Sequence, residues 1–159
     1  MILQYRNYVE DFFKTMDKGI LAGQRCKKCG AVRYQYVAFC DKCGSYDMED
    51  IELKPEGTLT MFSPTDDTMP DFAKYSTIDG VKLKNLVKEK GWKERPATSN
   101  YVWGEVVLDD GPTLQCFVGG FGVMYNRDLW PALKTLPRRV HIKIEKAGGN
   151  SIPVAYLAD

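Results

Sequence analysis

Four cysteines in the stretch CKKCGAVRYQYVAFCDKCG, Cys26 to Gly44, have the residue type and the spacing to bind a metal. They form two Cys-x-x-Cys-Gly knuckles, Cys26 with Cys29 and Cys40 with Cys43. Each knuckle puts two thiolates on one tight turn, and Gly30 and Gly44 allow the positive φ such a turn needs. Four thiolates close a tetrahedral shell around Zn2+ and leave no position for a water. The expected role is therefore structural: a zinc staple for a segment too short to build its own core, not a Lewis acid. Arg25, Lys27, Lys28, Arg33 and Lys42 lie close in sequence and can offset the negative charge of a zinc tetrathiolate. Iron, as in a rubredoxin-type electron carrier, suits the same sulfur set, but nothing else in the chain reads as a redox partner site. Four unrelated reduced thiols would not be expected to repeat the spacing.

Other chemistry is sparse. The fifth cysteine, Cys116, and the single histidine, His141, are the only residues of those types left for a nucleophile and its base. Leu114, Cys116 and Val118 alternate onto one strand face, most simply the interior. His141 lies between Val140 and Ile142 and should point outward. The expectation is a wall of barrel between them, with Cys116 a small buried hydrophobe and His141 an exposed strand residue. Asp109–Asp110 reads as a turn pair, not a spaced acid–base couple. There is no Gly-x-Gly-x-x-Gly or Walker loop. No catalytic residue is expected.

The elements that must position the knuckles read as follows. In YRNYVEDFFKTMDKG, the residues Tyr5, Tyr8, Val9, Phe12, Phe13 and Met16 recur at helical spacing, with Gly19 a stop. That face packs either on its own domain or in a groove on a partner, for which Tyr5, Tyr8, Phe12 and Phe13 are the docking candidates. Between the knuckles, AVRYQYVAF has enough apolar residues for a short β-hairpin. After the ribbon come strands at 57–64, 101–109 and 112–120, a short helix within 126–136, then strands at 138–146 and 152–158. Five strands with a helix between the third and fourth predict a Greek-key barrel of the OB type. Gly119, Gly120 and Gly122 fit a bend or bulge at a barrel corner.

The fold class expected is thus mainly β: an N-terminal amphipathic helix, a rubredoxin-like zinc ribbon, then a five-stranded OB-fold barrel. The corresponding divisions are 1–24, 25–47 and 48–159. A long insertion, about 65–100, separates the first and second barrel strands. Its second half is basic and surrounds Trp92. Lys90, Trp92, Lys93 and Arg95 are candidates for contacts to a phosphate-bearing ligand or substrate, through charge and an aromatic face, against the plainer reading of a solvated helix face.

With 159 residues and 44% hydrophobic residues, the chain can bury a real core. A formal net charge of +1 is poor support for gripping a polyanion, so no nucleic acid is expected as a partner. The opening MILQYRNYVEDFF is broken by Arg6, Glu10 and Asp11 and does not read as a signal peptide. No apolar run is long enough to span a bilayer, so no membrane is expected either. A cytoplasmic location follows, and a reducing compartment favours metal over disulfides.

LAGQRCKKCGAVRYQYVAFCDKCGS, EGTLTMFSP, VWGEVVLDDGPTLQCFVGG and LPRRVHIKI together resemble the zinc-ribbon/OB-fold family associated with acyl-CoA metabolism, whose members accompany thiolases and thiolase-like synthases. The resemblance covers nearly the whole chain, and its combination of motifs is specific where single pieces are not. It implies an accessory subunit without catalytic residues of its own. Such a subunit supports a thiolase-fold partner at an acyl-CoA site, in CoA-dependent thiolytic cleavage of an aromatic acyl-CoA such as benzoylsuccinyl-CoA. Cys26, Cys29, Cys40 and Cys43 match the family's structural Zn2+ ligands. The chain departs where YVAF precedes the second knuckle in place of the family's frequent prolines, and in the length of the insertion, which is the candidate for tuning the partner's pocket. The rival from another class is a nucleic-acid-binding zinc-ribbon/OB module.

Overall fold

The computed structural model describes residues 6–64, 101–122 and 126–158. The first described element is helix α1, Tyr8–Met16. Asn7 caps it by accepting the Glu10 backbone N–H at 3.1 Å, and Glu10 and Asp11 complement the helix dipole in the first turn. The helix ends ahead of Gly19, whose N–H bonds back to the Met16 carbonyl at φ +78°. Of its apolar stripe, Phe12 and Met16 are buried, while Val9 and Phe13 stay exposed.

Three short strands build the ribbon: β1 (Ala22–Cys26), β2 (Val32–Tyr34) and β3 (Met48–Glu52), in the order β2-β1-β3, all antiparallel. The hairpin expected inside the linker is not what forms. Residues 32–34 pair backwards with β1, Gly23 opposite Tyr34 and Arg25 opposite Val32, so the hairpin encloses the first knuckle. The reason is local. Gln35 takes a left-handed φ of +74°, which ends β2 after three residues and leaves no second strand before Cys40. Strand β3 closes the other side of the sheet. Its sequence, MEDIE, carries too little apolar alternation to announce a strand.

The rest is a closed five-stranded barrel: β4 (Glu56–Pro64), β5 (Tyr101–Leu108), β6 (Thr113–Gly119), β7 (Arg138–Ala147) and β8 (Asn150–Leu157), in the order β4-β5-β6-β8-β7. The barrel closes through antiparallel β4–β7, Glu56 opposite His141, and through the single parallel pair β6–β8. Helix α2, Asn126–Leu133, lies between β6 and β7, and Leu129, Ala132 and Leu133 pack against the core. This is the OB arrangement expected from the strand pattern. Gly111, at φ +105°, makes the turn after β5, its N–H bonding the Leu108 carbonyl. The β4–β5 register shifts between Leu59 and Met61, an irregularity within β4. Gly120 and Gly122 lie past the end of β6 with positive φ.

Alternation fills the barrel with Leu59, Val102, Val106, Leu114, Cys116, Val118, Val140, Ile142 and Ala155, all buried. Phe12, Met16, Leu21 and Leu53 belong to the same cluster, so helix, ribbon and barrel share one core. Burying each such large side chain is worth roughly 1.5–3 kcal/mol. Helix α1 wedges into the junction. At its C-terminal end the Asp17 carboxylate accepts from Lys146 and Ser151 on the β7–β8 hairpin. Leu53 N–H bonds the Leu21 carbonyl at 2.8 Å, and Lys54 N–H bonds Asp110 at 2.6 Å, tying the ribbon's exit to the barrel.

Candidate metal centre

The two knuckles fold by the same rule. Gly30 N–H bonds the Cys26 carbonyl and Gly44 N–H the Cys40 carbonyl, each at 2.8 Å. Cys26 N–H bonds the Ala31 carbonyl and Cys40 N–H the Ser45 carbonyl, again at 2.8 Å. Gly30 and Gly44 sit at φ +75° and +70°. A Cβ at either would meet nothing within 4 Å, so backbone conformation, not space, demands glycine there. Strand β1 delivers Cys26 from a paired sheet, and the chain beyond β2 brings Cys40 and Cys43 back over it.

The four sulfurs converge. Cys26 Sγ and Cys43 Sγ are 3.6 Å apart, as are Cys29 Sγ and Cys40 Sγ, and all four lie within 4.8 Å of one another. A zinc tetrathiolate with bonds near 2.3 Å sets its sulfurs about 3.8 Å apart. The donor set fits Zn2+, the two 3.6 Å pairs lying close to that spacing. Backbone N–H groups of Cys29 and Lys28 point at the Cys26 sulfur and lower its thiol pKa, the direction that favours a metal-binding thiolate, while at Cys43 the lowering by the Ser45 N–H is outweighed by burial and the neighbouring sulfurs, which raise it. Cys26 and Cys40 are buried, and Cys29 is the exposed ligand.

The cations expected to offset the thiolates are partly committed elsewhere. Arg33 pairs with Asp41, and Lys27 pairs with Asp47 at 3.4 Å. Both pairs bind one knuckle to the segment carrying the other.

Around the ribbon runs a polar network for which the sequence carries no local signal. Gln24 is fully buried. Its amide donates to Asp50 Oδ1 at 2.9 Å, and its carbonyl accepts the Val37 N–H at 2.8 Å. Asp50 in turn accepts a two-pronged contact from Arg6, 3.0 Å at Oδ1, and Arg6 also reaches Asp11 at 2.9 Å. Burial works against the Asp50 carboxylate, but the Arg6 and Gln24 hydrogen bonds outweigh it and hold the group below the ordinary carboxylate range.

Cys116 and His141 are placed as the alternation predicts. Cys116 is buried in the barrel, where desolvation pushes its thiol up to about 12. His141 faces outward, its side chain 47% exposed, 3.4 Å from Glu56 across the β4–β7 seam. The structure does not bring the two together. Of the docking candidates, Phe12 is committed to this chain's own Tyr34 and Tyr36 in edge-on contacts of 5.4 and 5.7 Å. Tyr8 is half-buried with the Arg6 guanidinium 4.8 Å from its ring, and Phe13 lies partly exposed. Tyr5 and the insertion candidates Lys90, Trp92, Lys93 and Arg95 lie outside the described residues. Periodicity did not reveal two exposed aromatics beside the second knuckle, Phe39 and Tyr46, which touch each other at 6.0 Å.

Residues 17–49 match the family model for the ChsH2 rubredoxin-like zinc ribbon domain. This segment is similar to the ChsH2 zinc ribbon. The ribbon and barrel together are similar to a solved chain described as "Ltp2-ChsH2(DUF35) aldolase". The two share 19% identity with a TM-score of 0.63, over 98% of each chain. At that identity the likeness is one of fold, and it runs from end to end. It agrees with the resemblance to the zinc-ribbon/OB-fold family drawn from the motifs. Comparison with curated protein sequences finds no match.

Proposed function

We propose that this chain is a non-catalytic zinc-ribbon/OB-fold subunit of an enzyme complex acting on acyl-CoA thioesters. Its partner, on this reading a thiolase-fold protein, supplies the reacting groups, and this chain supports assembly and the acyl-CoA site. The observation that carries the proposal is the combination of a sulfur set that leaves a bound zinc no open position with a Cys116 sealed inside the barrel, away from His141. The likeness in fold to a chain of an Ltp2-ChsH2 aldolase supports a role inside a complex.

Two reactions fit. The motif resemblance favours thiolysis of an aromatic acyl-CoA such as benzoylsuccinyl-CoA, in which CoA attacks and is consumed. The aldolase description of the matched structure favours aldol-type cleavage, in which no CoA is consumed. Affinity purification from the native source tests the first tier. A stoichiometric catalytic partner, with acyl-CoA cleavage requiring both chains, is the expected result. A chain that purifies alone overturns it. Dependence of the complex's turnover on free CoA then separates thiolysis from aldol cleavage. Steep salt-dependent binding of single-stranded oligonucleotides would instead favour the nucleic-acid module.

A further inference from the structure

We propose that occupancy of the four-cysteine centre controls the anchoring of helix α1, through a latch that runs from Val37 to Gln24, Asp50 and Arg6. Val37 lies in the linker between Cys29 and Cys40, and its N–H is held by buried Gln24. Beyond Gln35 the linker leaves the sheet, and residues 35–39 form no strand. Their near end is held by the pairing of Tyr34 with β1, and what fixes their far end, at Cys40, is the convergence of the cysteine sulfurs, which a metal holds together and four thiols alone do not. From Gln24 the contact passes across the β1–β3 pair, where Gln24 stands opposite Asp50, and from Asp50 to Arg6 at the start of α1.

A second strand of the latch is aromatic. Tyr36, in the same linker, donates to Thr15 Oγ1 at 3.2 Å, packs on Phe12, and lies 4.9 Å from the Arg6 guanidinium. The linker between the knuckles is thus the floor on which α1 rests. When the sulfurs part, Val37 and Tyr36 move. The buried Gln24 side-chain carbonyl then loses the Val37 N–H it accepts, a state disfavoured by a factor of about ten or more. Arg6 and Phe12 lose their seat. The barrel interior, with Leu59, Val102, Val106, Val118, Val140 and Ile142, belongs to the same cluster as Phe12 and Met16 but makes none of these hydrogen bonds, and its closure runs through its own strand pairs.

The latch is independent of which partner the chain serves. Hydrogen–deuterium exchange on the full, zinc-loaded chain tests it, before and after removal of zinc with excess EDTA. The expected result is exchange of residues 8–16 and 35–39 faster by about tenfold or more, with β4–β8 unchanged. Protection of α1 that survives zinc removal overturns the proposal. So does parallel loss of protection in β4–β8, which would make the metal a staple for the whole molecule. Gln24→Leu should loosen α1 with zinc still bound at one per chain. Arg6→Ala, at an accessible position, serves the same purpose if Gln24→Leu does not fold. Wild-type protection of α1 in the zinc-loaded variant overturns the route through Gln24.

Discussion

Cys40 and Cys116 have the same side chain and opposite fates. Cys40 sits on a turn that aims its sulfur at three others, whereas Cys116 faces only the barrel core. Cys40→Ser leaves three thiolates and a weak fourth donor, so zinc content should fall well below one per chain. The β1–β3 sheet should lose protection while the barrel strands keep theirs, as read by metal analysis with amide exchange. Cys116 should resist iodoacetamide in the native protein for as long as the fold persists. A thiol pushed up to about 12 and shut from solvent offers almost no thiolate at neutral pH. Mass spectrometry of alkylated peptides checks this, and rapid native labelling of Cys116 would contradict its placement. The metal ligands were legible because their signal is local: two Cys-x-x-Cys-Gly turns with glycine where φ must be positive. Gln24 was not, because its partners stand 26 and 13 residues away and no spacing rule joins a lone glutamine to them.

Helix α1 shows what periodicity leaves open at the scale of an element. The stripe Tyr8, Val9, Phe12, Phe13 and Met16 is real, but only Phe12 and Met16 are covered. The stripe is wider than the groove beneath it, and the ribbon's Tyr34 and Tyr36 set that groove's width. The helix is pinned at both ends by carboxylates, Asp50 below Arg6 and Asp17 below Lys146 and Ser151. Lys146 and Ser151 lower the Asp17 pKa, as the Arg6 and Gln24 bonds lower that of Asp50 against burial. Because both folded-state values lie below the unfolded one, the stabilisation is complete above about pH 4 and fades as pH falls through the folded values. Carboxyl chemical shifts followed by NMR should therefore place both midpoints under the ordinary aspartate value. Asp17→Asn should remove the acid sensitivity contributed at that end of α1. Strand β2 went the other way from its expectation: the apolar content of the linker signalled a hairpin, but the left-handed turn at Gln35 allowed only its first arm, which paired with β1.

For the whole molecule, the decisive fact is a core shared by three parts that the sequence presents one after another. Leu21 and Leu53 from the ribbon's ends and Met16 from the helix join the barrel's interior cluster. Close packing leaves little tolerance at the seams. A Cβ on Gly57, in β4 between β5 and β7, would stand 2.6 Å from the Val107 carbonyl oxygen, a backbone atom that cannot swing aside. Gly57→Ala should lower stability by roughly 1–3 kcal/mol, read as a reduced urea midpoint with zinc content unchanged. The sequence alone determined the ligand set, the strand-by-strand alternation and hence the OB barrel, because each is a pattern repeated within a few residues of itself. Tertiary structure decided which face of α1 is buried, that the linker's strand turns back onto β1, and that Gln24, Asp50 and Arg6 meet. Those outcomes depend on contacts between distant segments competing for the same surface, and no local period records which segment wins.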